Sequence, residues 1–118
     1  YAPVIGIFLR QKNAGENLTI VGDGEQRRDF VYVGDVVEAN ILAATKKIDE
    51  EYYGQIFNVG SGDNITINEI AQIIHNQYDY IPFREGEART TLADISKIKK
   101  VFGWEPKMDL RKWVKKLL

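Results

Sequence analysis

The chain contains no cysteine, one histidine and one methionine among its 118 residues. Without cysteine, thiol chemistry and Cys-ligated zinc are excluded, and an intracellular setting is allowed. With His75 alone, a histidine-based metal site has no second ligand of its kind. On a helix flank His75 reads as a surface or boundary residue rather than a catalyst. No apolar run approaches the roughly 18 residues of a membrane span, and no basic-then-apolar segment marks a secretory leader. Charge of one sign is also missing. The net charge of -1 offers no basic footprint for nucleic acid or an anionic membrane. The expectations are therefore no metal, no nucleic acid, no membrane and a cytoplasmic setting. The opening residues, from Tyr1, look like a helix already under way, which reads as a piece of a longer polypeptide. The length suits one ordinary domain with a core that needs no disulfide or metal.

What is present is concentrated between Gly22 and Val37. A Gly22-Asp23-Gly24 turn leads into Arg27-Arg28 and an alternating segment, Arg28 to Val33, read as a strand. Asp35 sits where a helix N-cap would sit, before the apolar run 36–45. That run is apolar nearly all round, the pattern of a helix buried on more than one side. An arginine at the lip of a strand, beside a tight turn, can grip a phosphate with a fork that stays charged. The plainer alternative is that Arg27 and Arg28 are surface charges paired with Glu25 or Asp29.

Around this stretch the pattern alternates between helix and strand. Val4, Ile5, Phe8 and Leu9 recur at helical spacing, with Gly15 as the stop. Segments 18–21, 55–59 and 80–83 read as strands, with Pro82 confining the last to an edge or an end. Thr66 and Glu69 have capping-box spacing ahead of a helix whose inner face is Ile67, Ile70, Ala71 and Ile74. Asp94 is expected to cap a helix bearing Ile95, Ile98, Val101 and Phe102 and ending at Gly103. Trp104-Glu105-Pro106 reads as a turn. Asp109 is expected to cap a last helix with Leu110, Trp113, Val114 and Leu117 inward.

Nucleophilic catalysis finds little support, because Ser61 and Ser96 have no local base. Gly60-Ser61-Gly62 lacks the third glycine of a dinucleotide fingerprint and is also common in plain turns. The loop from Arg84 to Thr91 is more informative. Arg84 and Glu87 flank Gly86, and two arginine loops in a chain of balanced charge suggest a diphosphate held from two sides, by Arg28 and Arg84. Glu87 could accept hydrogen bonds from ribose hydroxyls.

Taken as an ordered set, these motifs resemble the nucleotide-sugar epimerase and dehydratase family, the extended short-chain dehydrogenases, and within it the UDP-glucose 4-epimerases. The pieces are Leu18 to Gly24, Arg28 to Val33, Asp35 to Val37, Phe57 to Gly62, Arg84 to Glu87, and Ala93 to Lys97 through Gly103 to Pro106. They cover essentially the whole chain.

The resemblance implies an α/β fold with small mixed sheets and packed helices. It would be the C-terminal substrate-binding lobe, lacking the main Rossmann domain. Residues 1–118 would form that lobe, with 36–59 completing the missing dinucleotide-binding domain. It implies a UDP-sugar as ligand: Arg28 and Arg84 on the diphosphate, Glu87 on the ribose, Thr19 to Val21 along the base, and Thr91 bordering the sugar. Glu87 stands where aspartate is frequent, Gly6 where proline is usual, and Arg27 where threonine or serine is usual.

NAD and the catalytic residues would lie in the N-terminal part. No Tyr-x-x-x-Lys pair starts at Tyr52, Tyr53, Tyr78 or Tyr80. The implied parent is an NAD-dependent UDP-sugar 4-epimerase, a homodimer when intact, with this chain inactive alone. The alternatives are a dTDP-glucose 4,6-dehydratase, a UDP-glucuronate decarboxylase, or a non-catalytic assembly module.

Overall fold

The computed structural model describes residues 3–118. In order it contains α1 (Val4–Asn13), β1 (Leu18–Val21), β2 (Arg27–Arg28), α2 (Val33–Thr45), a 3-10 turn (Glu50–Tyr52), β3 (Ile65–Thr66), α3 (Ile67–Ile74), β4 (Tyr78–Ile81), α4 (Ser96–Phe102) and α5 (Leu110–Lys116). The chain divides into two compact units. The first takes the residues up to Arg28, then Ile65–Thr91 and Arg111–Leu118; the second takes Asp29–Asn64 and Leu92–Leu110.

In the first unit β1 pairs in parallel with β4, Leu18 opposite Tyr78 and Val21 opposite Ile81. The short β2 pairs antiparallel with β3, Arg28 opposite Ile65, and a parallel bridge joins Arg27 to Thr90. Both strand arrangements of the expected small mixed sheets are therefore present. Helices α1 and α3 pack on β1. The buried side chains are Ile5 and Phe8 from α1, Leu18 and Ile20 from β1, and Ile65, Ile67, Ile70, Ala71 and Ile74 from β3 and α3. The α3 face is the one its 3.6-residue periodicity predicts. Its capping box forms in full: Thr66 Oγ1 accepts from the Glu69 amide at 3.1 Å, and Glu69 Oε2 accepts from the Thr66 amide at 3.1 Å. That amide leads the causes that hold the Glu69 carboxyl below its ordinary range. Val114 of α5 is buried, but Leu117 is exposed and does not face inward.

The second unit has its core in Ala39, Ile95, Ile98, Phe102 and Trp104, with Phe57 edge-on to Phe102. Helix α4 ends at Gly103, whose φ of 65° is the left-handed C-terminal geometry that glycine permits. Asp94 lies one residue outside the cap position, where its Oδ1 accepts from the Ser96 amide at 3.0 Å.

Several expectations are corrected here. The strand 28–33 shrinks to Arg27–Arg28, and α2 already begins at Val33. The reason is that Asp29 ties this segment down by its side chain instead of by a ladder. Its carboxylate accepts from the Ser61 amide and hydroxyl and from the Gly62 and Ala93 amides, at 2.6–3.2 Å. Burial raises the Asp29 pKa, but these bonds, the Ser61 hydroxyl foremost, outweigh it and leave the group more acidic than usual.

Asp35 is not the N-cap of α2. Tyr32 occupies that position, and Asp35 is buried in the first turn, where Oδ2 accepts from the Lys107 and Met108 amides at 3.1 Å each. Residues 55–59 are not a strand, and the one expected at 80–83 lies at 78–81, with Pro82 just past its end. Finally, α2 buries only Asp35 and Ala39, and Val33, Val37 and Ile41 are exposed. Trp104, read as part of a turn, is 1% exposed.

Candidate functional site

The first unit brings the two arginine loops together. The Gly22-Asp23-Gly24 turn is built from below by α3: Asn68 donates its amide to the Gly24 carbonyl and its side-chain Nδ2 to the Asp23 carbonyl, both at 3.0 Å. Gly24 has a φ of +72°, which strains any other residue, and a Cβ there would also run into the Asn68 side chain. The loop 82–91 runs beside this turn. Its last residues are tied to Arg27, whose amide donates to the Arg89 carbonyl at 2.9 Å and whose carbonyl accepts from the Thr91 amide at 3.0 Å.

Arg28, at the end of β2, is held by this loop. Its Nη1 donates to the Arg27 carbonyl at 2.9 Å and to the Arg89 carbonyl at 3.5 Å, and its Nη2 pairs with Glu87 Oε1 at 3.2 Å. The side chains keep 21% and 31% of their surface, so the pair is oriented yet accessible. Arg28 and Glu87, 59 positions apart, are thus partners. The alternative pairing of Arg28 with Asp29 does not form, since the Asp29 carboxylate is committed elsewhere. Arg84 is exposed and makes no hydrogen bond or ion pair within the described residues. A charged fork oriented by acceptors, with a second cation in the same loop, can bind an anion with two charged ends.

The strand expected to lie along a base is partly spoken for. Thr19 exchanges two hydrogen bonds with buried Gln11: its amide donates to Oε1 at 3.1 Å, and its hydroxyl accepts from Nε2 at 2.9 Å. The Val21 carbonyl accepts from Gln26 Nε2 at 2.9 Å. A planar ligand here must use other groups of that edge or displace a glutamine. Both glutamines escaped the sequence reading. Gln11 carries a signal, a polar residue on the inward face of α1, whereas Gln26 has none. Gln26 Oε1 is buried with no partner among the described residues, a costly arrangement for a carbonyl oxygen. Thr91 is exposed, and its neighbour Thr90 forms the bridge to Arg27.

A second pair was also missed. Arg89 donates from both nitrogens to both oxygens of Asp23, at 2.7 and 2.9 Å. The Arg89 guanidinium is the main reason the Asp23 carboxyl falls to about 2, and Asp23 raises Arg89 in turn.

The Gly60-Ser61-Gly62 turn offers a dinucleotide no cradle. The amides of Ser61 and Gly62, which would have to face its phosphates, are spent on Asp29. No cluster of His, Asp and Glu that could hold a metal occurs among the described residues. Nor is any described helix long and apolar enough to cross a membrane.

A putative UDP-glucose 4-epimerase of Methanocaldococcus jannaschii is 37% identical over 99% of this chain and 38% of its own length. A UDP-N-acetyl-alpha-D-glucosaminuronate decarboxylase of Bacillus cytotoxicus is 34% identical over the whole chain and 39% of its length. The crystal structure of UDP-glucose 4-epimerase from Thermotoga maritima with UDP-glucose superposes with a TM-score of 0.84 at 38% identity, over 97% of this chain and 37% of that one. The chain therefore spans under two fifths of the length of these relatives. The sequence pattern of the GDP-mannose 4,6 dehydratase family matches residues 4–117, and this chain belongs to that family of nucleotide-sugar enzymes.

Proposed function

We propose that this chain is the UDP-sugar-binding portion of an NAD-dependent UDP-sugar 4-epimerase and is inactive alone. The observation that carries the reading is Arg28, fixed at the end of β2 by Glu87 and two carbonyls, with Arg84, which has no partner among the described residues, in the same loop as Glu87. Arg28 and Arg84 then hold the diphosphate, Glu87 shares its carboxylate between Arg28 and the ribose hydroxyls, Thr19 and Val21 border the base, and Thr91 borders the sugar. Glutamate in place of aspartate gives one more methylene of reach, which suits a carboxylate serving two partners.

Epimerisation at sugar C4 needs NAD to take and return a hydride. The described residues fit neither that cofactor nor an acid–base pair for it, so both belong to the rest of the full-length protein. Residues 36–59 meet that missing part. In support, Val37 and Ile41 line one side of α2 exposed, and Ile56, in a stretch without strand partners, is 86% exposed. A cytoplasmic homodimer completes the proposal. The decarboxylase relative favours a second reading, in which the same lobe serves a UDP-uronate decarboxylase.

Two assays on the full-length protein test this. Incubated with NAD and UDP-glucose, it is expected to yield UDP-galactose by NMR of the sugar. Release of CO2 from a UDP-uronate without epimerisation would select the decarboxylase, and no turnover of either would favour an assembly module. Thr91 then sets the sugar. A small side chain leaves room for an N-acetyl group at C2, and a pocket excludes by overlap more sharply than it prefers by one contact, worth about 1–3 kcal/mol. Thr91→Tyr is expected to abolish turnover of UDP-N-acetylglucosamine and spare UDP-glucose. A parallel fall in kcat/KM for both would remove Thr91 as the gate.

A further inference from the structure

We infer that Asp23 and Arg89 form a latch that positions the diphosphate-binding loop, and that Arg89 is not itself a phosphate ligand. The inference rests on the nucleotide-sugar reading given above. It begins from the inequality of the arginines around the site. Arg84 has no partner among the described residues, Arg28 is oriented by three acceptors, and Arg89 has both ends of its fork closed on one carboxylate. A guanidinium engaged at 2.7 and 2.9 Å by both oxygens of Asp23 has its charge neutralised and its bidentate face occupied. An incoming phosphate would have to displace a carboxylate held in that geometry.

The other end of the pair is a fixed post. Asp23 belongs to the turn that Asn68 braces from α3, and its Oδ1 also accepts from the Glu25 amide at 2.9 Å. Tyr80 steadies Asn68 in turn, its hydroxyl donating to Asn68 Oδ1 at 3.1 Å. By contrast, every residue from Pro82 to Thr91 is exposed. Backbone bonds tie the loop at its ends, at Ile81 through the Gly22 amide and at Arg89 and Thr91 through Arg27. The Asp23–Arg89 pair therefore bears on the residue whose carbonyl touches Arg28 and which lies two positions after Glu87. Its consequence reaches ligand binding through Arg28: with the latch closed, the Arg89 carbonyl and Glu87 carboxylate meet the guanidinium together. With it open, the loop gains freedom that binding must then remove, a cost in conformational entropy.

The direction of one effect separates this from the alternative. Asp23 is a negative charge beside the proposed site of a negative ligand. If Arg89 were a phosphate ligand, removing Asp23 would free a cation and tighten binding. If the pair is a latch, the same change weakens it. The experiment is calorimetry of UDP binding to the full-length protein and to Asp23→Asn, Asp23→Glu, Arg89→Ala and the Asn/Ala double variant. The expected result is that Asp23→Asn and Arg89→Ala each weaken binding about threefold to fivefold, the range for a well-formed exposed pair. The double variant is expected to be no worse than either single one, as coupled partners require, and Asp23→Glu, which keeps the carboxylate, to bind like wild type. Arg89→Ala alters an exposed loop side chain and keeps the latch falsifiable even if the turn variant misfolds, because unchanged binding would overturn it. Unchanged or tighter binding by Asp23→Asn or unchanged binding by Arg89→Ala, with wild type binding UDP normally, overturns the latch alone. A wild-type protein that does not bind UDP overturns the nucleotide reading and the latch together.

Discussion

Replacing Arg28 by alanine in the full-length protein is expected to weaken UDP binding tenfold or more. A hydrogen bond to a charged group contributes about 1.5–3 kcal/mol, so loss of one such contact already corresponds to roughly a tenfold to hundredfold change. Arg28 meets the conditions for the upper part of that range. Its fork is pre-oriented by the Arg27 and Arg89 carbonyls and by Glu87, so little side-chain entropy remains to be lost on binding. Truncation also leaves Glu87 as an uncompensated negative charge facing a dianionic ligand.

Arg84→Ala is expected to act in the same direction. It falls in the lower part of the range, because an exposed, unpartnered side chain must be ordered as the ligand arrives. Arg27→Ala is expected to do much less. Its backbone ties the loop, the amide to Arg89 and the carbonyl to Thr91, and alanine keeps both. Calorimetry with UDP decides, and equal, small effects at all three positions would remove the diphosphate clamp.

The largest loss of stability is expected from Trp104→Ala. The indole is 1% exposed in the core of the second unit, among Ala39, Ile95, Ile98 and Phe102. Its Nε1 donates to the Asp35 carbonyl at 2.9 Å. Truncating a buried tryptophan costs about 3–5 kcal/mol through lost transfer energy and the cavity left behind, and here the carbonyl loses a donor as well. Against a total stability of about 5–15 kcal/mol for a domain, that is a large share. The melting temperature should fall by on the order of 10 °C or more. Trp104→Phe keeps most of the buried area and loses the hydrogen bond, for which about 1 kcal/mol is expected. Urea unfolding of the three proteins measures both, and a loss below about 1 kcal/mol in the alanine variant would contradict the packing role.

The contrast between Trp104 and Thr66 shows what kind of information a sequence holds. Thr66 and Glu69 cap α3 through bonds that span three positions, and the apolar face behind them repeats every turn. Gly15 and Gly103 stop their helices because only the local backbone decides. In the same way β1, bounded by polar residues and a glycine turn, is where its pattern puts it, though β4 is shifted by two residues. The motif order was enough to identify the family, because its spacing is carried by the chain itself.

Tertiary structure decided whatever depended on residues far apart in the chain. Asp35 has the chemistry of a cap and a place beside a helix start, yet its carboxylate serves the Lys107 and Met108 amides, more than 70 positions away. Asp29 gives up a strand ladder because three amides from two other loops converge on it. The sequence singled out Arg28, Arg84 and Glu87 as candidates. It could not show that Glu87 meets Arg28, that Arg84 stays unpartnered, or that Asp23 and Arg89, 66 positions apart, close on each other. Local pattern fixes the conformation a short stretch prefers. Which charges neutralise one another depends on which loops the packed core brings within about 4 Å, and only the folded chain specifies that.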